Sequence, residues 1–282
     1  IHAVEAKDPG RAEEAADRLR PLMPGAGHMV HMPSHIYMRV GRYADAYADN
    51  VEATRADESY LEQCRAQGIY PLLYYPHNVH FQVWAAMFEG RRAVALADAR
   101  KLAGHSHPEP DVFGLPEVFE LQPFFVQVRF GQWDEVLKEP QPPAQARLMT
   151  ALWHYGRGLA FQHSGKSALA ATELAALRAI ALEPGLKDKY TAFAPTLKLI
   201  TIAEQILAGE IAAGGKHYDE AIARLQRAVL LQDSLMYNEP PDRYFPVRHY
   251  LGAVLLEAGL PKEAETVYWE DLRRHPENGW AL

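Results

Sequence analysis

Five glycines occupy the same place in a recurring pattern, and this pattern constrains the fold more than any other feature of the sequence. Each glycine ends an apolar stretch and is followed by a short polar turn and a small or β-branched residue. The glycines are Gly41, Gly90, Gly131, Gly165 and Gly259, and five positions after them stand Ala46, Ala95, Val136, Ala170 and Ala264. Glycine readily adopts the left-handed backbone that ends many helices. The pattern therefore predicts pairs of helices joined by tight turns, with small side chains where the helices approach closely.

The repetition of these pairs predicts an all-α fold. Two further segments continue the pattern: "GGKHYDEAIARLQRAV" places Ala221 at the equivalent position, and "KDPGRAEEAADRL" places Ala15 there. Each helix pair leaves an apolar face that only the next pair covers. We therefore predict an α-solenoid in which about seven helix pairs form a single repeat domain over residues 1–282. The chain begins inside one helical pattern and ends where another starts, so we expect it to be truncated at both ends.

The segments "MRVGRYADAYADN" and "LLEAGLPKEAETVY" carry a resemblance to the tetratricopeptide repeat, and related segments extend it over nearly the whole chain. The period departs from that family, because the 34-residue spacing occurs only between Gly131 and Gly165. The strings "GAGHMVHMPSHIYMRVGRY" and "YYPHNVHF" also resemble a group of uncharacterised bacterial proteins with such repeats. The resemblance implies a right-handed superhelix of helix hairpins, in which the first helices line a concave ligand-binding surface.

Four connectors are longer than a repeat requires, at residues 56–75, 105–117, 182–197 and 233–246. Long loops in compact repeat proteins are more often functional than idle. Their tyrosines would either cover a ligand groove or cap helix ends. These tyrosines are Tyr70, Tyr74, Tyr75, Tyr237 and Tyr244.

Six of the thirteen histidines share one stripe of the first helices, at six, ten or thirteen positions before a turn glycine. They are His28, His31, His35, His77, His80 and His249. This stripe is rotated by about 100° from the face that packs on the partner helix. In the proteins that the chain resembles, it lines the concave surface. We therefore predict a histidine-rich groove, with Tyr37, Arg39 and Trp84 as further lining residues.

Two consecutive predicted units carry these histidines at matching positions, which is the pattern that favours a metal site. Two histidines four positions apart on a helix are a known chelating pair, and neighbouring helices pack about 8–10 Å apart. We predict His31, His35 and His80 as the inner ligands of a zinc, copper or iron ion, with His28 and His77 behind them. The alternative is that the histidines only hydrogen-bond within a polar groove and bind no metal.

Two other residues carry local predictions. Pro33 lies between the histidines and removes one helical hydrogen bond, so it predicts a kink or the start of a helix. His2 lies eight positions before Gly10, which favours packing in the core.

Charge and cysteine content narrow the classes of partner. The formal net charge of −7 and the isoelectric point near 6.0 argue against nucleic acid or an anionic membrane as the main partner. No apolar run approaches the length of a membrane span. The one cysteine, Cys64, excludes a disulfide framework and a cysteine zinc site, and it is typical of a reducing cytoplasm.

Three functions remain open at this point. The first is a scaffold whose concave groove binds a partner peptide or a small ligand, with or without a transition metal. The second is a metal-dependent enzyme for a small substrate, in which three histidines and one open position let the ion activate water or oxygen. The third is metal storage or delivery without turnover.

Overall fold

The computed structural model describes residues 1–65, 68–105 and 114–282, and these residues are mostly helical. In this part of the chain the strands are limited to one short antiparallel pair, β1 (Tyr190–Thr191) with β2 (Ala194–Pro195). The prediction of an all-α fold is confirmed, although this small hairpin in the connector 182–197 was not predicted. Most of the connector 105–117 lies outside the described residues. Among the described helices, none has the length and apolar character needed to cross a membrane.

The chain forms two compact units, and the first consists of Ile1–Val112 together with Leu272–Leu282. A 3₁₀ turn (Pro9–Ala12) precedes its first α-helix, and a π-helical turn (Tyr70–Tyr74) leads into its fifth. Within the unit α4 packs against α2, α3 and α5, and α5 packs against α6. The helices are α1 (Glu13–Leu19), α2 (Gly27–His31), α3 (Pro33–Val40), α4 (Tyr43–Cys64), α5 (Tyr75–Phe88) and α6 (Arg92–Gly104).

The second unit is Phe113–Asp271. Its helices are α7 (Leu115–Glu120), α8 (Gln122–Arg129), α9 (Trp133–Lys138), α10 (Arg147–His163), α11 (Ser167–Ala181), α12 (Thr196–Gly214), α13 (Tyr218–Asp233), α14 (Val247–Glu257) and most of α15 (Pro261–Arg274). Helix α10 packs against α11 and α12, and α12 packs against α13 and α14. Sequential hairpins therefore share faces in this unit. The predicted single solenoid over the whole chain stays a prediction.

The turn glycines have the predicted backbone. All five have positive φ, from 64° at Gly131 to 86° at Gly41, and each separates two helices. The residues five positions later are completely buried, namely Ala46, Ala95, Val136, Ala170 and Ala264, as is Ala221. Gly252, seven positions before Gly259, also stands at a close contact, because a Cβ added to it would lie 2.7 Å from Cε1 of Tyr268. The helix-pair pattern is confirmed at these positions.

The prediction of a helix pair around Gly10 is wrong. Gly10 lies inside the 3₁₀ turn that Pro9 begins, and Ala15 is exposed. The buried small residue is Ala16 instead. Because the 3₁₀ turn leads almost directly into α1, no helix ends at Gly10 and no hairpin forms there.

Pro33 begins a helix, as predicted. Helix α2 ends at His31 and α3 starts at Pro33, while Met32 between them keeps a right-handed backbone (φ −52°, ψ −36°). Proline is favoured at a first helical position because its missing N–H has no intrahelical acceptor there. The break divides the histidine motif between two short helices, which pack on α4.

Candidate metal centre

Three imidazoles from α2, α3 and α5 meet inside the first unit. Nε2 of His31 lies 2.8 Å from Nε2 of His35 and 3.1 Å from Nε2 of His77. One ligand atom from each of the three lies within 4.8 Å of the others. Two atoms bound to one ion at about 2.1 Å, at angles of about 90–110°, lie about 3.0–3.4 Å apart. The spacing of the three nitrogens is therefore close to what a single ion requires.

Asn50 on α4 determines which nitrogen of His31 carries the proton. Its side-chain amide donates to the carbonyl oxygen of Ala46 (2.7 Å), so its Oδ1 faces Nδ1 of His31 at 2.7 Å and accepts from it. Ser34 donates its hydroxyl hydrogen to the carbonyl of His31, so it can only accept from the same Nδ1–H. Nε2 of His31 is left with a lone pair that faces the two other rings. Contacts of this kind orient metal-binding histidines in many proteins.

Burial keeps the three rings neutral. His31 is fully buried and His35 is 4% exposed, while His77 is partly exposed. Removal from water lowers the pKa of His35 to about 4 and holds the pKa of His31 and of His77 well below the ordinary value. Neutral imidazole is the form that binds a metal. The site is therefore competent to bind a metal at neutral pH without first losing protons from these rings.

The apolar ring of Phe81 on α5 packs against one side of the three imidazoles. Its ring is fully buried and makes edge contacts with His31, His35 and His77, with centroid distances of 4.6, 4.7 and 5.0 Å. A buried aromatic ring at this place keeps water away from the side of the cluster that it covers. The local dielectric constant is low there, which strengthens the interaction of the nitrogens with a cation.

His28 lies beside the three rings. It stacks on His31 with centroids 5.4 Å apart, and it makes an edge contact with Tyr74 at 4.7 Å. Its Nδ1 is buried and has no hydrogen-bond partner among the described residues. Burial also lowers the pKa of His28 to about 4. His28 is therefore a neutral imidazole with an unused nitrogen next to the cluster.

A buried carboxylate, Asp57, anchors the start of α2. It accepts hydrogen bonds from the hydroxyl of Tyr70 (2.6 Å) and the amide of Asn78 (2.7 Å). The Tyr70 hydroxyl in turn accepts from the backbone N–H of His28 at 3.4 Å. Gly27 packs so closely that an added Cβ would overlap the Asp57 carboxylate. These contacts hold α2, and with it two histidines, at one position on α4 and α5.

A second acidic group lies behind His35. The carboxylate of Glu5 is 3.5 Å from Nδ1 of His35 and 2.9 Å from Nδ1 of His2. Glu5 is not among the site residues predicted from the sequence, although its three-residue spacing from His2 is a usable signal. The expectation that His2 packs in the core is wrong, because its side chain is 58% exposed. It belongs to the turns before α1, so no helix in this segment turns it inward.

The cluster differs from the predicted inner set at one position: His77 joins His31 and His35 where His80 was expected. His80 is partly exposed and lies outside this group. Counting back from the glycines assumes that both first helices are continuous. The break at Pro33 sets α2 apart from α3, and His31 therefore faces the earlier turn of α5.

The further residues predicted to line the groove do not lie together on an open surface. Tyr37 and Trp84 belong to the hydrophobic core of the first unit, so neither lines an open surface. Tyr37 donates its hydroxyl hydrogen to Asp17 (2.7 Å). Arg39 is partly exposed and donates to the backbone carbonyl of Glu5 at 3.3 Å.

His249 lies in the second unit, in a buried polar cluster. Its Nε2 is 2.8 Å from the carboxylate of Asp271, and its Nδ1 is 3.5 Å from the guanidinium of Arg129. Burial lowers the pKa of Arg129 to about 9. Phe245 covers this guanidinium at 3.5 Å from the ring centroid. The contacts of His249 are those of a packed residue within its own unit.

Comparison with known proteins adds no family to these observations. No protein-family model matches the sequence. No curated protein matches it at a significant level.

Proposed function

We propose that the first unit is a transition-metal-binding unit, in which His31, His35 and His77 are the ligands through their Nε2 atoms. The observation that carries this proposal is the hydrogen bond from Nδ1 of His31 to Asn50. It commits the opposite nitrogen to a lone pair at 2.8 and 3.1 Å from two further ring nitrogens.

A cation between the histidine nitrogens would remove the repulsion between their lone pairs. If His35 donates its Nδ1–H toward Glu5, its Nε2 also carries a lone pair, and two lone pairs then face each other at 2.8 Å. Such a contact is repulsive unless a proton or a metal ion lies between the atoms. The depressed pKa values of both histidines disfavour the proton. A divalent ion therefore fits the neutral cluster better.

The donor set favours zinc or copper. Three imidazole nitrogens suit zinc, copper and iron, whereas magnesium and calcium prefer oxygen ligands. Iron in oxygenases commonly binds two histidines and one carboxylate, and the inner group has no carboxylate. We therefore rank iron third among the three metals.

The role of the ion depends on which group occupies its fourth coordination position. Three protein ligands with an open position are typical of catalytic zinc, which supplies a water of lowered pKa, and four protein ligands are typical of structural sites. His28 has an unused Nδ1, but it lies outside the group of three, so it would close the site only if its ring moved toward the ion. A metal-dependent enzyme is therefore the second candidate function, and it requires that His28 is not a ligand.

The scaffold is part of the same proposal. The buried alanine or valine after each turn glycine supports tetratricopeptide-like helix hairpins, and the right-handed α-solenoid that they would form rests on the resemblance. A groove for a peptide or a small ligand along its first helices remains a proposal that rests on the resemblance.

Metal content of the purified protein tests the proposal. We expect at least one equivalent of transition metal in the wild-type chain and the loss of one equivalent in the His31→Ala/His77→Ala variant. The matched control is His163→Ala/His217→Ala, which removes two exposed histidines from the second unit. Because removing a fully buried ring can impair folding, the single variant His77→Gln is measured as well, with circular dichroism for each chain.

The outcomes separate the candidates. A wild-type chain that neither contains metal nor binds added zinc or copper would contradict the proposal. If metal binds, His28→Ala decides the role. Affinity that falls by about tenfold or more makes His28 the fourth ligand, and unchanged affinity leaves the position open to water.

A further inference from the structure

We infer that the first unit has a second metal position, formed by His2, Glu5 and Nδ1 of His35, so that the His35 imidazole bridges two ions. This inference rests on the proposed function, because His35 is also a ligand of the first position.

The geometry places two separate donor sets on opposite nitrogens of one ring. Nε2 of His35 faces His31 at 2.8 Å, and Nδ1 faces the Glu5 carboxylate at 3.5 Å. The same Glu5 oxygen lies 2.9 Å from Nδ1 of His2. One ligand atom from each of His2, Glu5 and His35 lies within 4.8 Å of the others, as in the first group. The distances of 2.9 and 3.5 Å lie just outside the range of about 3.0–3.4 Å for atoms that share one ion, so small shifts of the side chains would bring them into it.

The charge of Glu5 provides a second argument. Glu5 is 7% exposed, and in the part of the chain that the structure describes its side chain pairs only with the two imidazoles. Arg39 is near but donates to the backbone carbonyl of Glu5. A buried carboxylate without a cationic partner is costly. A divalent ion between Glu5 and the two rings would compensate the buried carboxylate even when both imidazoles are neutral.

Binding at both nitrogens requires one proton to leave. A neutral His35 carries one N–H, and when each nitrogen donates its lone pair to an ion, that proton is released to solvent. The bridging group is then an imidazolate with one negative charge. With the Glu5 carboxylate it offsets two of the four positive charges of two divalent ions. No electron transfer is involved.

A simpler role for Glu5 is to orient His35 for the first ion by accepting its Nδ1–H, as carboxylates often do behind metal-binding histidines. In that role His2 is not a metal ligand, and one ion per chain is expected. The second position uses His2 as a ligand and predicts two. Metal stoichiometry therefore separates the two roles of Glu5.

The first experiment titrates the metal-free chain with zinc and counts the ions bound. We expect two per wild-type chain, and one per chain in both His2→Ala and Glu5→Gln. The matched control is His217→Ala/Glu220→Gln, an exposed pair with the same three-residue spacing in the second unit, which should keep both ions.

The second experiment loads the chain with copper(II) and records its electron paramagnetic resonance spectrum. An imidazolate bridge couples the two unpaired electrons, so the signal of isolated copper should fall well below the copper content. In His2→Ala the remaining ion should give the full signal of isolated copper.

The outcomes distinguish this inference from the proposed function. One zinc ion per wild-type chain, with no loss in His2→Ala, overturns the second position and leaves the first intact. Two ions with uncoupled copper spectra overturn the bridge. No bound metal overturns the second position and the proposed function together.

Discussion

Nδ1 of His31 donates a hydrogen bond to Oδ1 of Asn50 over 2.7 Å, and both side chains are completely buried. Nineteen residues separate them in the chain, and they reach each other because α2 packs on α4. The amide of Gln82 holds this part of α4 by donating to the carbonyl of Asn50 at 2.9 Å. Helix α5, which carries His77, therefore also supports the partner of His31.

Asn50→Ala should weaken metal binding. The change removes the acceptor for Nδ1–H of His31, so the ring loses both its preferred tautomer and its orientation. We expect the affinity for zinc to fall about 10–100-fold, the usual cost of losing such a contact. Competition with a chelating dye measures the affinity. Gln63→Ala on the exposed end of the same helix is the control, and equal affinities in the two variants would contradict the expected role of Asn50.

Metal should stabilise the chain by mass action. Zinc at a free concentration of about 100 times its dissociation constant raises the free energy of unfolding by about 2.7 kcal/mol when it binds the folded state alone. We expect the melting temperature of the wild type to rise with zinc and to return after chelation. His77→Gln should show a smaller response than the wild type at the same zinc concentration, because it lacks one of the three ligands of the first position. A rise of equal size in that variant would place the responsible ion elsewhere.

Gly27→Ala should destabilise the first unit. An added Cβ would lie 2.6 Å from the carbonyl oxygen of Ala53 and would overlap the Asp57 carboxylate. Forcing atoms into a packed contact of this kind costs about 1–3 kcal/mol. Gly25→Ala is the matched control, since a Cβ there meets no atom within 4 Å. Urea unfolding measures both, and a Gly27→Ala midpoint equal to that of the control would show that α2 moves without cost.

Two turn glycines allow backbone strain to be separated from packing. Gly41 and Gly90 both have positive φ, 86° and 71°, so alanine at either should cost about 1–2 kcal/mol. A Cβ at Gly41 would also lie 2.6 Å from the carbonyl oxygen of Pro276, whereas a Cβ at Gly90 meets nothing within 4 Å. We expect Gly41→Ala to unfold at the lower urea concentration. Equal midpoints would mean that the segment after α15 moves away from the added Cβ without a measurable cost in free energy.

Stability should depend on pH through Asp242 in the second unit. Burial raises the pKa of Asp242 to about 6, above about 3.9 for an unfolded chain. The folded state therefore holds this proton more tightly than the unfolded state. Its contribution favours folding below about pH 4 and is lost as the pH rises to about 6, a change of about 1–3 kcal/mol.

Asp242→Asn removes this titration and keeps an oxygen to accept from the amide of Asn238, which lies 3.0 Å from the carboxylate. The variant should be more stable than the wild type at pH 8 and close to it at pH 4. Thermal unfolding over this range measures the difference. Asp188→Asn, at an exposed position, is the control, and a difference that does not change with pH would contradict the raised pKa.

Much of the local structure was predictable because it depends on residues close together in the chain. The turn glycines, the buried alanine or valine five positions later and the helix start at Pro33 follow from backbone preferences and from the period of a helix. Gly10 was the exception, because Pro9 imposed a 3₁₀ turn that helix spacing does not reveal.

By itself the sequence determined that the chain forms helix pairs and that His28, His31 and His35 share one face. It also determined that His77 and His80 are the candidates from the next helix. Only the tertiary structure selected His77 and brought Asn50, Phe81 and Glu5 to the cluster. Helical period decides which side chains share a face, because it depends on a few adjacent residues. The register of one helix against another depends on packing between side chains from distant parts of the chain, and no local spacing records that packing.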